Sequence, residues 1–253
     1  MVAPPALTIV IPVYNEGANF RRLWSQVATA IHIPFRALVV YDFDEDDTLP
    51  VAKELVASGE HRIVLCRNSY GRGVTGAIKT GLESVASGPV LVTMADLSDD
   101  LTQVDAMYAL YQQGFDVICG SRYMPGGRLF GGPRLKQALS RISGLTLHYF
   151  RGIPTHDATN SFKLYDATMV RKLGVESKAG FELGLELTTK AFLHGYRIAE
   201  IPTTWRDRSA GKSRFKLLKW LPSYLRWYFF AFRPRKTQPR KLTERETSGY
   251  ITQ

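Results

Sequence analysis

Met94-Ala95-Asp96-Leu97-Ser98-Asp99-Asp100 follows the apolar run 89–93 and turns it into a strongly acidic loop. An open α/β sheet binds ligands in the crevice beyond the carboxyl ends of its strands, and this is such an end. The chain carries a formal net charge of +10, so a tight acidic cluster inside it points to a divalent cation. A cation held by few carboxylates completes its shell with phosphate oxygens and water, which points in turn to a nucleotide diphosphate. The same residues also read as a helix start, with Ser98 or Asp99 as the cap of a helix from about residue 101 and the other acids favoured by its dipole. The two readings are compatible.

Working outward, runs 7–13 and 37–41 are short and β-branched, and residues 20–31 between them place apolar side chains at helical spacing, which predicts a βαβ unit. The alternation continues with a helix over 49–57, a strand over 62–66, a helix over 74–86, the strand 89–93, a helix over 101–112 and a strand over 115–120. Such repetition predicts a mostly parallel sheet covered by helices on both faces, its first half ending near residue 121. Residues 122–133 are basic and rich in Gly and Pro, and are expected to form a mobile loop beside the site. Helices over 135–150 and 180–194 and strands over 162–165 and 198–201 are expected to complete the same sheet. At 253 residues, with 45% hydrophobic and 22% charged side chains, the composition is that of one globular α/β domain. It excludes wholesale disorder and a membrane bundle. The first residues show no secretory pattern, so a cytosolic N-terminus is expected. Cys66 and Cys119 each end a strand-like run and are expected to be buried thiols without a function.

The C-terminal part differs. Basic residues crowd the stretch from Trp205 to Lys241, and Trp, Tyr and Phe interleave with them over 219–232. Pro222 and Arg226 interrupt an apolar stretch already too short for the roughly 20 residues that span a bilayer. The expectation is an amphipathic segment lying on a membrane through residues 215–236. Trp220, Tyr224, Trp227, Tyr228, Phe229, Phe230 and Phe232 would sit at the headgroup boundary, and the arginines and lysines would be drawn to anionic lipid. The alternative is a helix packed on the core with a solvated basic face. Residues 234–253 read as a disordered tail. Nucleic-acid binding through this basic segment is disfavoured, because no base-reading motif accompanies the charge.

Two further strand ends carry polar residues. The run 9–17 delivers Tyr14, Asn15 and Glu16 to the ligand crevice, where Tyr14 offers an aromatic surface and Glu16 an acceptor for ribose or base. The same residues also suit a strand stop at Pro12 and the start of the next helix. The second strand ends in Tyr41-Asp42-Phe43-Asp44-Glu45-Asp46-Asp47-Thr48. So many like charges destabilise one another unless a donor or cation lies nearby. A nucleobase donating to Asp42 or Asp44 would supply one, while Asp46 or Asp47 would cap the following helix.

Taken in order, Pro12-Val13-Tyr14-Asn15-Glu16, the acidic end of the second strand, Ala95-Asp96, Gly120-Ser121-Arg122-Tyr123 and Asp157-Ala158-Thr159-Asn160-Ser161-Phe162-Lys163 are joined by stretches beginning at Gly180, Gly195 and Asp207. Over about residues 7–220 this set resembles family 2 glycosyltransferases, most closely dolichyl-phosphate mannose synthases and their bacterial polyprenyl-phosphate relatives. The resemblance implies a GT-A fold over 1–211, with interfacial helices over 212–233. It implies inverting transfer of a sugar, mannose from GDP-mannose or alternatively glucose or a related sugar from a UDP donor, to a polyprenyl phosphate, with Mg or Mn as cofactor. Carried over by position, Pro12, Tyr14, Glu16, Asp42, Asp44, Ala95 and Ser98 border the nucleotide, Asp96 ligates the metal, and Arg122, Lys136 and Ser140 meet the acceptor phosphate. Arg208 and Arg214 match the basic pair of a loop that closes over the donor phosphates.

The chain departs from that family at two points. Met94 stands where the first Asp of the DxD element is usual, and Ser98 where Gln is frequent. That leaves Asp99, Asp100, or donor diphosphate and water to complete a metal shell. No membrane-spanning segment follows residue 232, which leaves an interfacial helix or a membrane subunit to bring the enzyme to the cytoplasmic face of a membrane. A catalytically weakened member that binds nucleotide sugar or lipid is the alternative that Met94 suggests. As a loop arginine, Arg122 is expected to be exposed and to matter little for stability.

Overall fold

All six residues of β1 (Leu7–Pro12) are buried, Leu7, Ile9 and Ile11 toward one cluster of apolar side chains and Val10 toward another. A strand that is apolar on both faces belongs inside a parallel sheet with helices above and below. The computed structural model of the protein, which describes residues 5–178, 180–207 and 217–235, has that arrangement. β1, β2 (Phe35–Tyr41), β3 (Ile63–Arg67) and β4 (Pro89–Val92) are joined by helices α1 (Gly17–Ala30), α2 (Thr48–Ala57) and α3 (Val74–Glu83). A 3-10 turn at Leu101–Gln103 and α4 (Val104–Gln112) lead to β5 (Val117–Ser121). Next come β6 (Arg128–Phe130), α5 (Arg134–Arg151), β7 (Lys163–Asp166), α6 (Ala167–Leu173), α7 (Leu183–Leu193), β8 (Ile198–Pro202), β9 (Thr204–Arg206) and α8 (Leu217–Phe230).

Seven strands form one sheet in the order β3-β2-β1-β4-β7-β5-β8. Only β7 runs against its neighbours, pairing antiparallel with both β4 and β5. Side chains of α1, α2 and α4 cover one face, and those of α3, α6, α7 and α8 the other. The antiparallel β7 positions the site: its neighbours bring their carboxyl ends to the ligand edge, whereas β7 brings its beginning. The chain just before β7 therefore meets the chain just after β5, and the Gly120 amide donates to the Phe162 carbonyl at 3.0 Å.

The expectations for the two halves of the sheet hold, with four differences. The segment 122–133 is not irregular throughout: β6 lies in it and pairs in parallel with β9 as a small second sheet. Three-residue strands in a Gly/Pro-rich context leave no periodicity to read. The short helix α6 was not expected. Cys119 is buried but Cys66 is half-buried. The fourth difference is in α8, which docks on the body of the protein. Trp227 is 1% exposed, Ala231 is fully buried, and Arg226 pairs with Glu176 at 2.8 Å. Trp227 is thus a core residue and not an interfacial one, because its ring covers the Lys190 ammonium that Glu186 and Glu176 neutralise. Phe229, 64% exposed, and Leu225 and Phe232 keep an outward apolar face.

Trp227→Ala is expected to cost about 3–5 kcal/mol of stability, the range for truncating a large buried aromatic. Phe229→Ala should change stability by less than about 0.5 kcal/mol. Urea unfolding of the two variants checks both values.

Candidate active site

The ends of β1, β2, β4 and β5 and the chain leading into β7 surround a cavity of about 1090 Å³. Pro12, Tyr14, Glu16, Asp42, Ala95, Asp96, Ser98, Arg122, Lys136 and Ser140 all line it. Asp44 does not: it turns outward to Arg67 in an exposed ion pair at 2.9 Å. Consecutive side chains of extended backbone alternate sides, so Asp42 and Asp44 could share a side only until the chain turns at Phe43. Arg208 and Arg214 lie outside the described residues.

At the strand-end side of the cavity, the acids at the end of β2 mostly hold loops. Asp46 accepts from the backbone N–H groups of Asn15 and Thr48, and Asp47 from that of Gly17. This draws the β1 loop against the start of α2 and sets Asn15 at φ 53. Asp42 accepts from Asn68 Nδ2 at 2.7 Å and from the Gly73 amide at 2.8 Å, so it enters the cavity as a fixed acceptor. Tyr14 packs edge-on against Phe43, whose other neighbour is the Arg72 guanidinium.

At the end of β4 the acidic loop divides its labour. Asp99 points inward and accepts from Thr93 Oγ1 and the Met94 amide, each at 3.0 Å. Asp100, rather than Ser98 or Asp99, caps the 3-10 turn by accepting from the Thr102 amide. Both carboxylates thus hold the loop through one oxygen each, and neither lines the cavity. Asp96 alone of the loop carboxylates lines the cavity. Leu97, at φ 64, turns the chain there, a left-handed conformation that is strained for a branched side chain and typical of functional loops. Burial pushes the Asp99 carboxyl up to about 7, with Asp96 nearby adding to the shift.

Among the described residues no three His, Cys, Asp or Glu side chains cluster as in an all-protein metal cage. One hard carboxylate oxygen donor beside a phosphate-sized space nevertheless fits Mg or Mn, which keep water and take substrate phosphates as ligands. The thioether of Met94 does not suit such an ion.

On the opposite side, Arg122 is not the exposed loop arginine expected. Its side chain is 10% exposed. Its Nε and Nη2 grip Asp157 at 2.6 and 2.9 Å, and Nη2 reaches Ser140 Oγ at 3.1 Å. Burial works against charge on both partners, but the pairing prevails: the Asp157 carboxyl is held below its ordinary range and Arg122 above its own. Removing one member of such a pair strands a buried charge at a cost of about 3–5 kcal/mol, so Arg122 matters for stability as well. Asp157 was legible only as part of a motif, since its partner is 35 residues away. Ser140 arrives because α5 crosses the loop before β7 at Gly144, where any Cβ would lie 2.1 Å from the His156 carbonyl. Tyr123, Thr159 and Trp205 also line the cavity and had no signal of their own, and Tyr224, expected at the headgroup boundary, lines it too because its face of α8 packs inward.

This fold and cavity define a glycosyltransferase of GT-A architecture. The chain belongs to glycosyl transferase family 2, whose family model matches residues 8–174. A polyprenol monophosphomannose synthase from Mycolicibacterium smegmatis is 29% identical over 231 residues, covering 84% of this chain and 85% of the relative. A dolichol-phosphate mannosyltransferase from Pyrococcus furiosus is 29% identical over 217 residues, covering 83% of this chain but 59% of the relative. Among solved structures, glucosyl-3-phosphoglycerate synthase from Mycobacterium tuberculosis, in complex with Mn2+, uridine diphosphate and glucosyl-3-phosphoglycerate, superposes with a TM-score of 0.62. That match covers 94% of this chain and 82% of the other at 15% identity, a likeness of fold.

The raised Asp99 gives the fold a pH dependence of definite sign. Between its ordinary 3.8 and about 7 the folded chain keeps a proton that the unfolded chain has lost. This contribution to stability is therefore present at low pH and is lost as pH rises through that window. Asp99→Asn, which cannot titrate, should lose less stability than the unaltered protein between pH 5 and pH 8. Chemical denaturation at the two pH values measures the difference.

Proposed function

We propose that this glycosyltransferase moves a hexosyl group, mannose from GDP-mannose, to a polyprenyl phosphate at a membrane surface. The observation that carries the reading is one continuous cavity with two kinds of wall. Strand-end acids and Tyr14 line one part, while Arg122, Lys136 and apolar residues of α5 and α8, among them Leu139, Ile142 and Leu225, line the other. A nucleotide suits the first part, and a phosphate with an apolar tail suits the second. The mannose and polyprenol in the names of the two relatives favour this donor and acceptor over UDP-glucose and related donors.

The chemistry asks little of a base. A phosphate monoester is already anionic near neutral pH, so its oxygen attacks without a strong general base. It needs orientation and relief of repulsion against the donor diphosphate. Arg122, Lys136 and Ser140 serve the acceptor phosphate, while Arg208 and Arg214 serve the donor diphosphate. Asp96 would hold Mg or Mn, which when bound stabilises the departing nucleotide diphosphate as a Lewis acid. Attack from the acceptor side with departure on the nucleotide side inverts the sugar carbon.

No helix among the described residues is long and apolar enough to cross a membrane. Support for a surface role comes from two adjacent helices. Leu135, Leu139, Ile142 and Tyr149 form an exposed row along α5, followed by Phe150 at 79% exposure. On α8 the exposed row is Leu225 and Phe229, with Phe232 just beyond. Tyr228 bonds Thr146, and Arg151 bonds the carbonyls of Ala231 and Arg233, which ties the helices together. Solvent-exposed apolar rows beside Arg134, Arg141 and Arg233 suit anionic headgroups. These rows support sharing the interfacial role between α5 and α8, in an enzyme that we propose acts peripherally at the cytoplasmic face of a membrane, with or without a membrane subunit.

Incubation with Mn, short polyprenyl phosphates and a panel of labelled nucleotide sugars tests the activity. GDP-mannose should give polyprenyl-phosphate mannose, and Asp96→Ala should abolish Mn-dependent transfer. Met94 motivates a second reading, a weakened binder, which predicts nucleotide-sugar binding without product from any donor. For the membrane, Ile142→Ser with Phe229→Ser should reduce co-sedimentation with anionic liposomes at unchanged stability. Binding of the unaltered protein should weaken with salt yet persist, because apolar burial is not screened.

A further inference from the structure

Asp157 has no part in the transfer just described, yet it organises the acceptor side. It is fully buried. One oxygen accepts from the Arg122 amide and Nε at 3.1 and 2.6 Å. The other accepts from Arg122 Nη2 at 2.9 Å, and from Thr159 Oγ1 and the Asn160 amide at 3.2 Å each. Thr159 Oγ1 lies 2.7 Å from Ser140 Oγ, which also accepts from Tyr123 OH at 3.0 Å. An ionised carboxylate only accepts, so Thr159 must turn its hydroxyl proton to Asp157. The Arg122 guanidinium is gripped along its Nε–Nη2 edge, and Nη1 makes no hydrogen bond among the described residues.

We propose that Asp157 and Thr159 are positioning residues for the acceptor: Asp157 anchors Arg122, and Thr159, by accepting the Ser140 proton, holds that hydroxyl against Arg122 Nη2, so that the guanidinium meets the acceptor phosphate already in place. This rests on the acceptor reading given above. The anchor has a second effect. A mobile arginine in this cavity could pair with either anion, the donor diphosphate or the acceptor phosphate. Locked to Asp157, Arg122 stays on the acceptor side with much of its charge compensated. Preset donors also spare the ordering that a flexible side chain would undergo on binding.

The test compares Asp157→Asn, Thr159→Val and Thr159→Ser with the unaltered protein. It measures kcat and KM for a short-chain polyprenyl phosphate, affinity for GDP and UDP with Mn, and thermal stability. In Asp157→Asn the acceptor KM should rise about tenfold or more, with nucleotide affinity unchanged or tighter as Arg122 is released. Thr159→Val should raise the acceptor KM several-fold, and Thr159→Ser should restore it. Should Asp157→Asn fail to fold, the Thr159 pair decides, since the Val replacement keeps the shape. A folded Thr159→Val with an unchanged acceptor KM, or equal weakening of acceptor and nucleotide, would overturn the proposal while leaving the acceptor reading intact. No transfer to any polyprenyl phosphate by the unaltered protein would overturn that reading and this proposal together.

Discussion

Carboxylates at the ligand edge of the sheet accept hydrogen bonds from backbone amides of neighbouring loops, and the shape of the cavity depends on those bonds. Asp46 and Asp47 hold the β1 loop, Asp42 holds the turn before α3, Asp99 holds the end of β4, and Asp157 holds the end of β5. A charged acceptor makes a stronger bond than a neutral one, and the bonds to Asp46, Asp47, Asp42 and Asp157 join loops that the sheet brings together without pairing them, whereas Asp99 closes its own loop. The local excess of acid is therefore partly structural. Fewer acids border the cavity than the sequence suggests: of those strand-end carboxylates, Glu16, Asp42 and Asp96 line it.

The same division explains which parts of the fold and site were legible in the sequence. The parallel half of the sheet could be read because buried strands and amphipathic helices alternate with clear periods. β7 was located, but its reversed direction was not legible, since a four-residue run looks alike either way. Three strand ends of this cavity were read from their polar residues, but Asp44 lies outside it, because a run of acids carries no information on which side each one takes. Arg122 was located, but its burial was not, because Asp157 reaches it only through the fold of β7 between β4 and β5. Thr159 and Tyr123 are unremarkable in sequence and gain importance only by converging on Ser140.

α8 shows how one segment can satisfy two readings. Its aromatic and basic composition suits both a membrane surface and a protein core, and the structure divides it by face: Trp227 and Ala231 inward, Phe229 and Phe232 outward. Lys190 is the reason for the inward face. Its side chain is 5% exposed, its ammonium is bonded to Glu186 and Glu176, and the Trp227 ring lies over it. Glu176 then reaches out to Arg226 on the same helix, so the charge network that neutralises a buried lysine also fixes the angle at which α8 leaves the body.

The reversed strand has a consequence for the birth of the protein. β4 cannot complete its pairing until β7 emerges, and roughly seventy residues separate Val92 from Lys163. At the about 5–20 residues per second of synthesis, one side of β4 stays without its native partner for about 4–14 s. An apolar strand with open amides is a template for wrong pairing with another chain. The ribosome-bound chain is thus most exposed to aggregation while the segment between β4 and β7 is still being made, and slower translation of residues 93–163 would lengthen that exposure.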